Sequence, residues 1–197
     1  MYVRDAKNRD EAWLLDEIER MGLDDAAFRS RDYVIAVDEE SHERAGFGRL
    51  RIHKSDDGDE LIELTGIGVL PSWRGHGIGA HVVERLVDTA AADGFETVYV
   101  LTDNADYLTQ FGFERVDDDE LPEPLQQRLT TKRDAVDEDV VGLRIDVEAF
   151  EMADRLRTAF KRASETVDET SDDDATESPE DFGIDPETAT YKYDTGR

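Results

Sequence analysis

The sequence predicts an α/β (α+β) fold in which strands and helices alternate around one central sheet. The apolar stretch 61–70 runs into the glycine-rich segment 74–80, and the amphipathic stretch 81–93 follows it directly. Upstream, the apolar run 33–37 pairs naturally with residues 47–53, in which apolar and basic side chains alternate. A hairpin followed by a strand, a glycine turn and a helix is typical of a mixed domain of this kind.

The N-terminal third begins with a short predicted strand over 2–5 and a helix over 8–21. That helix is indicated by apolar residues near helical spacing, namely Trp13, Leu14, Ile18 and Met21. Turns are predicted at 38–43 and 55–58, where polar residues separate the apolar runs. These turns divide the three strands of the hairpin region.

The C-terminal part continues the alternation. Helices are predicted over 81–93, 106–111, 125–131 and 149–163, and strands over 97–102, 113–116 and 140–147. The first helix has one apolar face and is expected to end near Gly94. The last helix has apolar residues three or four positions apart: Phe150, Ala153, Leu156 and Phe160. We expect this helix to close the domain.

Two regions of different character divide the chain. Residues 1–163 carry all of these patterned elements and are predicted to form one domain. Residues 164–197 are predicted to be an acidic, disordered tail, because 164–187 contain eleven acidic residues, no basic residue and few large apolar ones.

The net charge of −27, from 23 basic and 50 acidic residues, is spread along the whole chain. This distribution favours a halophilic protein that stays hydrated in molar salt, where a Debye length of about 3 Å screens self-repulsion. A basic partner is the alternative interpretation. Nucleic-acid binding is disfavoured, because no basic stripe exists to neutralise phosphates.

Composition excludes several kinds of functional site and of cellular location. There is no cysteine, which excludes disulfides, thiolate metal sites and cysteine nucleophiles. No apolar run approaches the ~20 residues of a membrane span, and the N-terminal residues lack a signal-peptide pattern, so we expect a cytoplasmic protein with no membrane partner. The four histidines show no metal-ligand spacing, and no metal is predicted. A monomer and a homodimer are both compatible with the sequence.

Segment 74–80 carries the strongest functional signal. A glycine-rich turn between a strand and a helix N-terminus presents unpaired backbone N–H groups and the positive end of the helix dipole. Such a turn binds anions, and a phosphorylated cofactor is therefore predicted here. A dinucleotide site would need Gly-x-Gly-x-x-Gly and a nucleotide triphosphatase Gly-Lys-Ser/Thr, and neither pattern occurs in the segment.

The pattern Arg74-x-x-Gly77-x-Gly79 resembles the acetyl-CoA loop of the GNAT N-acetyltransferase superfamily. Its context is similar as well, since Val69-Leu70-Pro71 precedes it and Phe111-Gly112-Phe113 follows after a strand and a short helix. The resemblance is close over 60–116 and looser over the rest of 1–150. It implies an acyltransferase with a mixed, mostly antiparallel sheet of six to seven strands, splayed at the acetyl-CoA site and flanked by helices.

The resemblance also implies which residues hold acetyl-CoA. Loop N–H groups would bind the pyrophosphate, and the exposed main chain of strand 67–69 would hold the pantetheine and stabilise the oxyanion. The residues so assigned are Ile67, Gly68, Val69, Arg74, Gly75, His76, Gly77, Ile78, Gly79, Ala80 and Asn104. For Asn104 a second interpretation stays open, that of a cap for the short helix.

Acetyl transfer needs a neutral amine, and therefore a base. The resemblance places that base at Glu63, six residues before Val69. Period-two alternation puts Glu63, Thr65, Ile67 and Val69 on one face of the strand, toward the thioester.

Many family members carry a tyrosine as general acid four residues before the glycine of the Gly-Phe pair, but here that position is Leu108. Tyr107 lies one residue away, which on a helix is about 100° of rotation. Either Tyr107 reaches the sulfur from a shifted helix, or no acid is needed because a thiol with a pKa of about 8.5 leaves as thiolate.

The runs 100–102, 111–116 and 119–122 look like the N-acetylglutamate synthase type of domain, which implies free amino acids or similar small amines as acceptors. That type is basic where this chain has acidic residues within 130–146, so glutamate itself is not predicted. Two alternatives stay open. An acidic site would admit a protein lysine or N-terminus, and the absence of a tyrosine at Leu108 is compatible with a non-catalytic acetyl-CoA sensor.

Overall fold

The computed structural model describes residues 1–23, 26–135 and 137–173, with side chains described as far as residue 165. The chain divides into two units, Met1–Ser164 and Glu165–Arg197. In the second unit the helical backbone extends to Asp173. The remainder of the predicted acidic tail, 174–197, lies outside the described residues.

Within those residues, one seven-stranded sheet forms the centre of the first unit, in the order β1-β2-β3-β4-β5-β7-β6. The strands are β1 (Tyr2–Asp5), β2 (Tyr33–Val37), β3 (Arg44–Lys54), β4 (Glu60–Val69), β5 (Thr97–Thr102), β6 (Glu114–Val116) and β7 (Val141–Asp146). Only the β4–β5 pairing is parallel. The sheet is therefore mixed and mostly antiparallel, as the resemblance implied.

The helices of the described ranges are α1 (Glu11–Arg20), α2 (Ile78–Ala92), α3 (Ala105–Thr109), α4 (Glu123–Ala135) and α5 (Asp154–Asp173). No helix in this part of the chain is long and apolar enough to cross a membrane. Helix α2 begins three residues earlier than predicted, directly after Gly77. Helix α5 begins later than predicted, because Val147–Ala149 form a 3-10 turn and Phe150 is extended and stacks on Phe111.

The two faces of the sheet are covered by different helices. Helix α1 packs Leu14 and Ile18 on alternate β2 residues, and α4 packs Leu125 and Leu129 against Leu101 of β5. Helix α2 covers the opposite face, where its apolar residues Val82, Val83, Leu86 and Val87 are buried. The sheet thus separates α2 from α1 and α4.

A bulge at Gly66 changes which face each β4 residue occupies. Gly66 has a φ of +60°, and the β3–β4 register shifts between Phe47 and Arg49. Before the bulge, Glu63 contacts α4; after it, Ile67 lies beside α2 at Gly48, and Val69 lies beside Gly79 of α2. The prediction that Glu63, Thr65, Ile67 and Val69 share one face is therefore wrong, because the extra residue inverts the alternation.

Strands β4 and β5 pair over a short length only. Ile62–Leu64 lie opposite Val98–Val100, whereas β4 continues to Val69 and β5 to Thr102. Beyond the paired residues the two strands diverge, and the gap opens beside the N-terminus of α2. This is the splayed site that the resemblance implied.

Candidate active site

A cavity of about 830 Å³ fills the gap between β4 and β5, within the size range of small-molecule sites. The strand residues that line it are Leu64, Thr65, Gly66, Ile67, Val69, Val100, Leu101 and Thr102. The segment 21–23 after α1, the loop before α2, α3 with its flanking residues, the end of α4, Val140 and the start of α5 also line the cavity. Helices from both faces of the sheet therefore contribute residues to the same cavity.

The glycine loop forms one end of this cavity. Gly75 and Gly77 have φ values of +79° and +74°, in the left-handed region that favours glycine. The first backbone hydrogen bond of α2 runs from His81 N–H to Gly77 O, at 3.2 Å. The N–H groups of residues 78–80 consequently have no acceptor within the helix, which is the arrangement that binds an anion.

Eight of the eleven predicted cofactor residues line the cavity: Ile67, Val69, Arg74, Gly75, Gly77, Ile78, Gly79 and Asn104. Gly68, His76 and Ala80 are not part of its lining. At Gly68, the position of a Cβ would be 2.6 Å from Phe47, because the bulge turns this residue toward the α1 face. Arg74 Nε donates to Val69 O at 3.4 Å, so the arginine ties the loop to the end of β4.

Asn104 precedes α3 at the cap position, but its side chain makes no capping hydrogen bond. Its backbone N–H donates to Thr102 Oγ1 at 3.0 Å. The side chain therefore does not cap the helix, and Asn104 lies at the cavity wall.

Tyr107 and Leu108 both line the cavity, although they are adjacent on α3. The Tyr107 hydroxyl lies 2.6 Å from the point where a Cβ on Gly79 would stand, and the ring packs edge-on against Phe111. Burial raises the pKa of Tyr107 to about 12, so the hydroxyl keeps its proton and remains a hydrogen-bond donor at the loop.

Glu63 is 0 % exposed and lies on the α4 face of β4. Its Oε2 accepts hydrogen bonds from Arg128 Nε at 2.5 Å and His53 Nε2 at 2.8 Å. Burial alone would raise the pKa of Glu63, but the His53 hydrogen bond and the charges of Arg128 and Lys132 outweigh it and lower the pKa. The side chain is therefore an ionised carboxylate. Glu63 is not part of the cavity lining, although the next two residues of β4, Leu64 and Thr65, are.

Of the other histidines near the site, His76 lies in the loop with Nδ1 buried. His81 donates from Nδ1 to Gly77 O at 3.0 Å and stacks on Phe160 with the ring centroids 3.8 Å apart. Burial lowers the pKa of His81, which keeps the stacked ring neutral. Across the described ranges, no three His, Asp or Glu side chains converge as a metal site would require.

Among the described residues, the charged side chains in the cavity wall are Arg74, Lys132, Arg155 and Asp103. These residues bring three cations and one anion to the cavity, on a chain of net charge −27. Sequence analysis did not identify Lys132 or Arg155, since neither belongs to a local motif and each reaches the site only through the packing of its helix.

These features fit a phosphorylated ligand such as the acetyl-CoA that the resemblance implies. The loop provides free N–H groups and left-handed glycines that let phosphate oxygens approach the main chain. Arg74 and Arg155 provide positive charge at the same end, and the splayed strands leave the main chain of β4 exposed to a thioester arm.

The family model described as Acetyltransferase (GNAT) family matches residues 2–113, more than half of the chain. The chain belongs to this family. As a member of the GNAT family, it carries an acetyltransferase domain.

Curated relatives resemble this GNAT acetyltransferase over part of their length. An uncharacterized N-acetyltransferase of Chlorobaculum tepidum is 30% identical over 81 residues, which is 40% of this chain and 52% of that protein. The amino-acid acetyltransferase of Mycobacterium tuberculosis is 33% identical over 72 residues, 36% of this chain and 39% of that protein. The matches thus span about half or less of each relative.

Among solved structures, N-acetylglutamate synthase from Neisseria gonorrhoeae, complexed with coenzyme A and N-acetyl-glutamate, superposes with a TM-score of 0.60 at 18% identity. The match covers 74% of this chain and 35% of that one. At this identity the likeness shows a shared fold.

Proposed function

We propose that this GNAT acetyltransferase transfers the acetyl group of acetyl-CoA to the amine of a small molecule that also carries a carboxylate, such as an amino acid. The observation that carries the proposal is Lys132. Its Nζ donates to Leu101 O at 2.8 Å, and the side chain lines the cavity.

Lys132 reaches the cavity from α4, across the sheet from α2 and its glycine loop. The two cationic ends thus lie on opposite sides of the gap. The loop end would bind the phosphates of the donor, and Lys132 would bind a carboxylate of the acceptor through a charge-assisted hydrogen bond. A polyamine would bring a further positive charge into this cavity, which opposes its binding, and a lysine side chain of a protein offers Lys132 no carboxylate.

Bound acetyl-CoA supplies an activated thioester carbonyl. In the proposed arrangement, the loop N–H groups and Arg74 hold its phosphates, and the main chain of 67–69 orients the reacting end and polarises the carbonyl. The residues proposed for the cofactor site also include His76 and Ala80 of the loop and Asn104 at the cavity wall.

For proton transfer we assign Glu63 as the base, acting through a water because the carboxylate is buried and is not part of the cavity lining. Its lowered pKa keeps it ionised, and Oε1 has no hydrogen-bond partner among the described residues. Tyr107 is the proposed hydrogen-bond donor to the departing sulfur, since its protonated hydroxyl lies in the cavity beside the loop.

The test is an acceptor panel of acidic, neutral and basic amino acids, polyamines and lysine peptides, with coenzyme A release measured and products identified by mass spectrometry. We expect turnover with amino acids, and weak or no turnover with polyamines and peptides. Turnover restricted to peptides or polyamines would contradict the proposed acceptor class, and acetyl-CoA binding without turnover on any amine would favour a sensor.

A variant pair tests Lys132 itself. Lys132→Gln should raise KM for the acceptor by roughly tenfold, the scale of a hydrogen bond to a charged group, and leave the affinity for acetyl-CoA unchanged. Lys54→Gln removes an exposed lysine at the far end of β3 and is the matched control. An unchanged acceptor KM in Lys132→Gln would show that Lys132 does not contribute to acceptor binding.

A further inference from the structure

We propose that Arg155, at the start of α5, binds a phosphate group of acetyl-CoA, so that α5 is part of the co-substrate site. This inference rests on the proposed function, because it requires acetyl-CoA to occupy the cavity. Family membership does not imply a contact between Arg155 and acetyl-CoA, since the family model ends at residue 113 and α5 begins at Asp154.

Arg155 stands at the phosphate end of the cavity. Arg155 and Leu156 line the wall together with Gly75 and Gly77 of the loop. The main chain of α5 is in direct contact with the loop, since the Leu156 carbonyl carbon is 3.3 Å from the position of a Cβ on Gly77. The guanidinium therefore projects from a backbone that already touches the anion-binding turn.

The helix that carries Arg155 is fixed against α2. Phe160 stacks on His81 with an interplanar angle of 9°, and Arg157 Nη2 pairs with Glu84 Oε1 at 2.6 Å. Ser164 Oγ donates to Asp38 Oδ1 one turn further on. Because these contacts lie on successive turns, they hold the backbone of Arg155 at the cavity, and that backbone need not become ordered when a ligand binds.

Among the described residues, no carboxylate pairs with Arg155. Its Nη2 donates to the amide oxygen of Gln110 at 2.9 Å, and within the described ranges it forms no ion pair. Arg157, two residues on, does pair with a carboxylate. A guanidinium has five donors in a fork that matches a phosphate, so Arg155 keeps most of them for a ligand. On a chain of net charge −27, which repels a polyanionic ligand, such a local cation is needed.

The test measures binding rather than turnover. Calorimetry would give Kd for coenzyme A and for dephospho-coenzyme A, which lacks the 3′-phosphate, in the wild type, Arg155→Gln and Arg155→Lys. Lys161→Gln, which removes an exposed cation of the same helix that does not line the cavity, is the control. Thermal unfolding of each variant, in the salt concentration that keeps the wild type folded, checks the fold.

We expect Arg155→Gln to weaken coenzyme A binding by roughly tenfold, Arg155→Lys to weaken it less, and Lys161→Gln to leave it unchanged. A loss confined to coenzyme A places the contact at the 3′-phosphate, and an equal loss for both ligands places it at the pyrophosphate; either result supports the proposal. Wild-type affinity in Arg155→Gln overturns it. Failure of the wild type to bind coenzyme A would instead overturn the proposed function.

Discussion

The carbonyl oxygen of Leu156 lies 2.5 Å from the point where a Cβ on Gly77 would stand. Gly77 also has a φ of +74°, which a residue with a Cβ adopts only at a cost. The glycine of the loop motif is thus required twice, by the turn that exposes the backbone N–H groups and by the close packing of α5 against that turn.

Gly77→Ala should lower the free energy of unfolding more than Gly75→Ala. Both positions have positive φ, and the backbone strain costs about 1–2 kcal/mol at each. At Gly75 nothing lies within 4 Å of the added Cβ, whereas at Gly77 it meets backbone atoms of α5. Chemical denaturation followed by circular dichroism measures the difference, and equal losses would mean that α5 moves aside without cost.

Glu63→Gln should lower kcat by roughly tenfold or more, the scale on which a general base contributes. The exposed Glu60→Gln, on the same strand, is the control. Thermal unfolding should accompany the kinetics, because the amide no longer neutralises Arg128. An unchanged kcat would show that Glu63 is not the general base.

The pH profile of the wild type provides a second check on Glu63. Its pKa is depressed in the folded protein, so the carboxylate is ionised well below neutral pH. The rise of kcat/KM with pH should therefore follow deprotonation of the acceptor amine, whose reference pKa is about 7.7–8.0 for an α-amine. The inflection should move when acceptors of different amine pKa are compared; a fixed inflection would assign it to the enzyme.

Tyr107→Phe distinguishes the two routes for the departing thiol. If the hydroxyl donates to the sulfur, kcat should fall by roughly tenfold or more with little change in acetyl-CoA affinity. Tyr99→Phe is the control, because Tyr99 packs on the α4 cluster away from the loop. Wild-type kcat in Tyr107→Phe would indicate that the thiolate leaves without a side-chain acid.

Asp10→Asn should destabilise the protein at neutral pH by about 3 kcal/mol, because it breaks a buried charge cluster. Asp10 is fully buried and pairs with Arg4 at 2.7 Å and Arg44 at 2.9 Å. Burial alone would raise the pKa of Asp10, but hydrogen bonds from Arg4, from Lys7 N–H and from Arg44 outweigh it and hold the pKa well below its usual range.

The sign of the pH effect follows from that depressed pKa. The ionised Asp10 stabilises the fold above the unfolded-state pKa of about 3.9, and this contribution is lost as the pH falls toward the folded-state value. Urea unfolding should therefore show the gap between wild type and Asp10→Asn narrowing in acid. The exposed Asp16→Asn is the control, and a gap independent of pH would contradict the assignment.

Elements with a complete local pattern were predicted well. Strands β2 and β5 have the predicted bounds, because each is a continuous apolar run between polar turns. The N-terminus of α5 was misplaced, because Phe150 continues the apolar spacing of the helix but packs on Phe111 from an extended backbone.

Candidate site residues were likewise predicted where a local sequence motif marks them and missed where none does. The loop glycines and Tyr107 were proposed from the sequence because they lie in or beside a short motif, and they line the cavity. Lys132 and Arg155 carry no local signal, since one basic residue on a polar helix resembles any other. Only their position at the cavity sets them apart.

The sequence by itself determined the order of strands and helices, the anion-binding turn and the resemblance to the family, because these depend on periodicity and spacing within a few residues. Tertiary structure alone decided that the Gly66 bulge separates Glu63 from Ile67 and Val69, and that α4 and α5 bring cations to a cavity in an acidic protein. Which distant residues come close together depends on how the elements pack. Packing contacts between distant elements produce no periodic pattern in the sequence.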